Sequence, residues 1–128
     1  MVAKNSAQSY KDLVAWQKSR ALVRDIYRYT NSFPSSEIYG LTSQLRRAAV
    51  SIPSNLAEGQ GRLSLGEFKQ FIGHAKGSAF ELQTQLLIAH DLGFLHEKAA
   101  QDLLDRAEEI GRILSGLLRS LGYSRTGH

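Results

Sequence analysis

The chain has 128 residues, 42% hydrophobic and 22% charged, which suits one compact domain and falls short of two. It contains no cysteine, so disulfides, thiol nucleophiles and thiolate metal sites are all excluded. No apolar run is long enough to span a membrane, and the segment from Met1 to Ser6 lacks the apolar stretch of a signal peptide, so a cytoplasmic protein is expected. The net charge of +4 is uneven: residues 1–62 hold nine Lys/Arg against four Asp/Glu, and residues 63–128 hold seven against eight. The first half is therefore the basic one, which permits contact with a polyanion without requiring it.

Residues 1–9 and 123–128 read as flexible ends around a domain at 10–122. The first helix is predicted over 12–31, with Ala15, Trp16, Leu22, Val23, Ile26 and Tyr27 on one face and Gln17, Arg20, Arg24 and Arg28 on the other. Pro34 stops it, because a proline disfavours helical geometry in the residue before it. A second helix follows at 36–61, its start blurred by Gly40, with Leu41, Leu45, Ala48, Ile52 and Leu56 as core row and Gly59 and Gly61 at its end. Pro53 lies inside it and predicts a kink, which the nearby Ser51, Ser54 and Asn55 side chains can satisfy. Arg47, Ser51, Ser54 and Glu58 form a polar stripe on this helix, readable as an interhelical or intersubunit lock or as solvated surface.

Ser64 and Glu67 have capping-box spacing, opening a third helix at 65–92. Its core row, Leu65, Phe68, Ile72, Ala75, Ala79, Leu82, Leu86 and Ala89, steps by three and four until Gly93 closes the helix. A fourth helix at 97–121 repeats the steps through Ala100, Leu103, Ala107, Ile110, Leu114, Leu117 and Leu121. Links of three to four residues force each helix back along its predecessor, so the expected fold is an all-α, antiparallel up-down-up-down four-helix bundle.

The third helix carries a second face: Gly73, Gly77, Phe80, Thr84, Leu87 and Ile88 fall on its flank and back, where a monomer would expose them. Two glycines inside a helix cost about 1 kcal/mol each relative to alanine, a cost best explained by another backbone approaching closely. These six residues are the expected oligomer interface, with Val50, Pro53 and Ala57 of the second helix as a lesser patch.

Catalytic and metal chemistry find little support. Gly61 and Gly66 echo a phosphate-binding loop, yet Glu67 and Phe68 stand where Lys and Ser/Thr are required and no strand precedes them. His74, His90, His96 and His128 are too dispersed for two ligands on one helical turn. The carboxylates at 102, 105, 108 and 109 alternate with Arg106 and Arg112 as surface charges do. No enzyme, cofactor or metal is expected.

The segments Tyr10–Trp16 (YKDLVAW), Tyr39–Gly59 (YGLTSQLRRAAVSIPSNLAEG), Ala75–Ser78 (AKGS) and Glu81–Leu86 (ELQTQL) resemble the four-helix-bundle family named for proteins encoded in intervening sequences of 23S ribosomal RNA genes. The resemblance covers roughly residues 10–121 and implies a small bacterial cytosolic protein with no established enzymatic activity, assembled as a ring-shaped homopentamer. A protein similar in fold, the accessory protein of diversity-generating retroelements, makes ribosomal or other structured RNA, or a nucleoprotein, a candidate partner. Where many members carry a serine before the last helix this chain has His96, which predicts a weakly capped start. Arg20, Arg24 and Arg28 on the first helix, with Arg46, Arg47, Arg62, Lys69 and Lys76 around the second and third, are the candidate nucleic-acid-binding residues. Arg46, Arg47 and Arg62 lie off the core row and are expected to be dispensable for folding. A protein-binding scaffold is the alternative function. A ring would multiply a weak basic patch into a multivalent surface.

Overall fold

Ser9 accepts a hydrogen bond from the Lys11 N–H at 3.1 Å and donates its own N–H to the Asp12 carboxylate at 3.2 Å, which folds Tyr10–Asp12 into a 3-10 turn. The chain then enters α1 (Val14–Thr30), followed by α2 (Leu41–Gln60), α3 (Leu65–Asp91) and α4 (Glu97–Ser120). This computed structural model describes residues 9–122, so most of the two expected flexible ends lies outside the described residues. No described helix is long and apolar enough to cross a membrane.

Cross-helix contacts fix the direction of the helices. Ser51 meets Ser78 while Gly59 meets Phe68 and Phe71, so α3 runs back along α2. Gly111 lies by Gln83 and Gly122 by Lys69, so α4 runs back along α3. Lys18 pairs with Glu109 at 3.2 Å and Asp25 with Arg106 at 2.8 Å, closing α4 against α1. Phe33 and Phe94, from two different links, pack with ring centroids 5.4 Å apart and tilted by 50° across one end of the bundle. The order is that of an antiparallel four-helix bundle.

Leu22, Ile26, Leu45, Ile52, Leu56, Phe68, Ile72, Leu82, Leu86, Leu103, Ile110 and Leu114 are fully buried, so the helical rows read from the sequence form the core. The rows depart from expectation at their ends. Leu65, in the first turn of α3, is 41% exposed because α2 has already ended beside it. In α4 the step from Leu114 continues to buried Leu118, leaving Leu117 and Leu121 half-buried. Tyr27 is exposed on the outer edge of α1.

The largest correction is the link between α1 and α2. It occupies residues 31–40, not a short turn, and contains a 3-10 turn at Ser35–Glu37. There the Glu37 carboxylate accepts the Leu41 N–H at 3.0 Å, supplying a negative charge to the N-terminus of α2. Gly40 permits this approach, since a Cβ on it would lie 2.8 Å from Glu37 Oε1. At the start of α3, Ser64 Oγ accepts the Glu67 N–H at 3.1 Å, but the Glu67 carboxylate accepts from the Ser64 hydroxyl and not from its N–H, so half of the expected box forms. Gly93 ends α3 at φ 81°, with its N–H on the His90 carbonyl and the Phe94 N–H on the Ala89 carbonyl, a Schellman arrangement. His96 does cap α4, accepting the Ala99 N–H on Nδ1 at a long 3.5 Å.

α2 continues through Pro53 to Gln60, with Asn55 donating its amide to the Ser51 carbonyl at 2.8 Å and to the Ser51 hydroxyl at 2.9 Å. Gly59 is thus inside the helix, and its role is packing: a Cβ there would sit 2.7 Å from Phe71 Cβ. Alanine would ordinarily gain about 1 kcal/mol over glycine in a helix. Here Gly59→Ala is expected to lower stability, since overpacking of a filled site costs roughly 1–3 kcal/mol. Urea denaturation followed by circular dichroism checks the sign.

Candidate functional site

The eight basic residues singled out in the sequence do not form one surface. On α1, Arg20 and Arg24 face solvent, with the Arg20 guanidinium 5.5 Å from the Trp16 ring centroid. Arg28 pairs with Asp25 at 3.2 Å, and the same carboxylate accepts from Arg106, which in turn reaches Asp102 at 3.5 Å. Arg28 therefore belongs to the ion network that ties α1 to α4.

Arg46 is engaged by the fold, against the expectation that its charge is left free for a partner. Its Nε donates to Thr30 Oγ1 at 2.9 Å, its Nη2 donates to Asn31 Oδ1 at 3.1 Å, and its guanidinium lies 4.5 Å from the Tyr27 ring centroid. It joins α2 to the C-terminal end of α1, where unpaired carbonyls also favour a cation. Arg62 is also engaged, 2.6 Å from Glu58 Oε2 and 4.7 Å over the Phe71 ring. Of that trio only Arg47 is exposed with no carboxylate at ion-pair distance among the described residues.

The polar stripe on α2 resolves into one interhelical lock. Ser51 and Ser78 share a 2.8 Å hydrogen bond, whereas Glu58 is spent on Arg62 and Ser54 faces solvent. Beside this lock, Gln44, Arg47, Ala48, Ser51 and Glu81 line a hollow of about 460 Å³ between α2 and α3.

The expected interface residues do come together. Gly73, Gly77, Phe80, Thr84, Leu87 and Ile88 are all exposed along the outer side of α3, Phe80 at 55%. A Cβ on Gly73 or Gly77 would meet nothing within 4 Å, so packing inside this chain does not require glycine at either position.

On the α4 side of α3 lie two further hollows. One, of about 620 Å³, is lined by Phe80, Gln83, Glu108, Gly111, Arg112, Ser115 and Arg119. The other, of about 680 Å³, is lined by Gly66, Lys69, Gln70, Gly73, His74, Lys76 and Leu118. Lys76 connects them, its ammonium 5.9 Å from the Phe80 ring centroid. In the sequence Arg112 reads as an ordinary surface charge and Arg119 does not stand out. The signal is present in their spacing, since positions 108, 112, 115 and 119 share one helical face. Among the described residues no group of three or more His, Asp or Glu is placed to hold a metal ion.

Three comparisons bear on this geometry. The sequence model of the 23S rRNA-intervening sequence protein family matches residues 11–116. A solved structure from Bacteroides thetaiotaomicron, described as a protein of unknown function from the S23 ribosomal protein family, superposes with a TM-score of 0.73 at 18% identity, covering 86% of this chain and all of that one. Among curated proteins none matches. At that identity the structural likeness speaks for the fold alone.

Removing Arg46 separates structural from surface cations. Arg46→Ala deletes two side-chain hydrogen bonds and a cation–π contact, and is expected to cost roughly 1–3 kcal/mol of stability. Arg47→Ala and Arg24→Ala should stay within about 0.5 kcal/mol of the parent, as surface substitutions do. Chemical denaturation of the three variants side by side measures the difference.

Proposed function

The chain belongs to the 23S rRNA-intervening sequence protein family, and from that premise we propose that it is a non-enzymatic, oligomeric adaptor whose basic surface holds structured RNA or a nucleoprotein in the bacterial cytoplasm. The observation that carries this reading is a set of cations left open by the fold. Arg20, Arg24 and Arg47 on α1 and α2 are exposed and stand beyond ion-pair distance of every described carboxylate. Phosphates accept such charges without regard to base sequence. The likeness in fold to the accessory protein of diversity-generating retroelements is part of the same proposal.

Self-association is assigned to the outer side of α3, with a ring of five copies as the proposed assembly. Gly73 and Gly77 leave open space where a second backbone would fit. A ring repeats each cation around its axis, so three open charges per copy add up to a multivalent surface.

A protein-binding scaffold is the second reading, favoured by the engagement of Arg28, Arg46 and Arg62 with partners in this chain. Salt separates the two. Filter binding of 23S ribosomal RNA fragments should weaken steeply with salt, and Arg20→Ala, Arg24→Ala and Arg47→Ala combined should flatten the log–log slope by roughly 0.7 to 0.9 for each phosphate no longer neutralised. RNA retention that is absent, or insensitive to salt, selects the scaffold.

Assembly has its own test. Gly73→Ala with Gly77→Ala should stabilise each helix by up to about 1 kcal/mol per position, yet yield smaller species in light scattering because methyl groups now occupy the contact. An oligomer of unchanged size would remove the glycine stripe from the interface.

A further inference from the structure

We propose that the groove between α3 and α4 binds an unpaired stretch of RNA, with a base laid on Phe80 and phosphates held by Arg112 and Arg119. This rests on the RNA reading above and names a site for it that lies apart from the α1 and α2 arginines.

Four observations converge on the groove. Phe80 is 55% exposed at its edge, a large apolar ring that the fold leaves open. Arg112 and Arg119 line the opposite wall two helical turns apart, about 10 Å at 1.5 Å per residue. Neither is within ion-pair distance of a described carboxylate, although Glu108 stands one turn before Arg112 in the orientation that favours pairing on a helix. Lys76 extends the positive charge from the Phe80 ring toward the second hollow, where Lys69 also lies.

Together these make a cationic track beside an aromatic platform, the combination on which single strands bind. A duplex would satisfy the arginines but has no free base face to offer Phe80. Burying two open guanidiniums against another copy of the chain would cost several kcal/mol unless carboxylates met them, whereas a phosphodiester chain brings the needed charge at regular intervals. Glu108, the one acid in the lining, sits at the far end from Arg119. It repels phosphate there and places the backbone toward Arg119 and Lys76. Gln83 and Ser115, on facing walls, offer hydrogen bonds to a base edge or a ribose hydroxyl.

The assignment takes Phe80 for the groove and leaves Gly73, Gly77, Thr84, Leu87 and Ile88 for a second copy.

The test is fluorescence anisotropy on the full chain with a labelled unstructured 12-nucleotide RNA, the same sequence as a duplex, and adenosine diphosphate as competitor. Phe80→Leu should weaken the single strand at least about fivefold, the low end of one base stacked on an aromatic ring, and leave the duplex unchanged. Arg112→Gln with Arg119→Gln should flatten the single-strand salt slope by roughly 0.7 for each phosphate no longer neutralised. Single-strand binding untouched by these variants but abolished with the α1 and α2 arginines would overturn this site and leave the broader reading standing. No binding of either RNA would overturn both. Oligomer dissociation by Phe80→Leu at unchanged single-strand affinity would give the ring to the contact between copies and overturn the proposal. Displacement by equimolar adenosine diphosphate would overturn the RNA strand as occupant in favour of a free nucleotide.

Discussion

The close approach of α2 to α3 governs the rest of the bundle. At Gly59 the α2 backbone comes so near α3 that a single methyl group would collide with Phe71. Further along, buried Ala48 and Ala49 on one helix and Ala75 and Ala79 on the other keep the pair close enough for the Ser51 and Ser78 hydroxyls to meet. Small side chains at a helix contact let the two axes draw together. Large residues such as Phe68, Ile72, Leu82 and Leu86 then fill the space among all four helices. With its inner side committed this way, α3 presents three other strips outward: polar residues toward α2, lysines toward α4 and a nearly uncharged back.

How much of this was readable from the sequence depended on range. Helical periodicity depends on neighbours within a turn or two, and the core rows of α2 and α3 followed from it nearly residue by residue. Gly93 was legible as a stop for the same reason, since a positive φ is a local demand. The link at 31–40 was not. Ser35 to Tyr39 contains nothing that forbids a helix, and the start of α2 is set by a side chain, Glu37, reaching forward to the Leu41 N–H. Gly59 looked like a terminator because a glycine near a helix end usually is one; only its neighbour across the interface shows that it is a contact point.

The charged residues show the same divide more sharply. A helical projection places Arg46 outside the core row, which is correct, but says nothing of how far a long side chain reaches over the neighbouring helix to Thr30, Asn31 and Tyr27. Counting charge by halves of the chain made the second half look neutral to acidic. Folding sorts those charges by azimuth: Lys69 and Lys76 of α3 line the same side of the bundle as Arg112 and Arg119 of α4, while Asp102, Arg106 and Glu109 are drawn into the α1–α4 ion network. Net charge per segment is therefore a poor guide wherever antiparallel helices bring distant positions side by side.

The proposed subunit contact and the proposed RNA groove both fall on α3. The glycine stripe and the cationic groove adjoin along the helix, and Phe80 lies where they meet. Two contacts that share an edge residue are energetically coupled, and by linkage whatever one partner does to the affinity of the second, the second does to the first in equal measure. A subunit contact that fixes the Phe80 rotamer pre-orders the platform on which a base would stack, lowering the entropy cost of that step. A contact that covers the ring competes with the base instead. If both proposals hold, the sign of the coupling between assembly and RNA is set by which way the Phe80 ring turns.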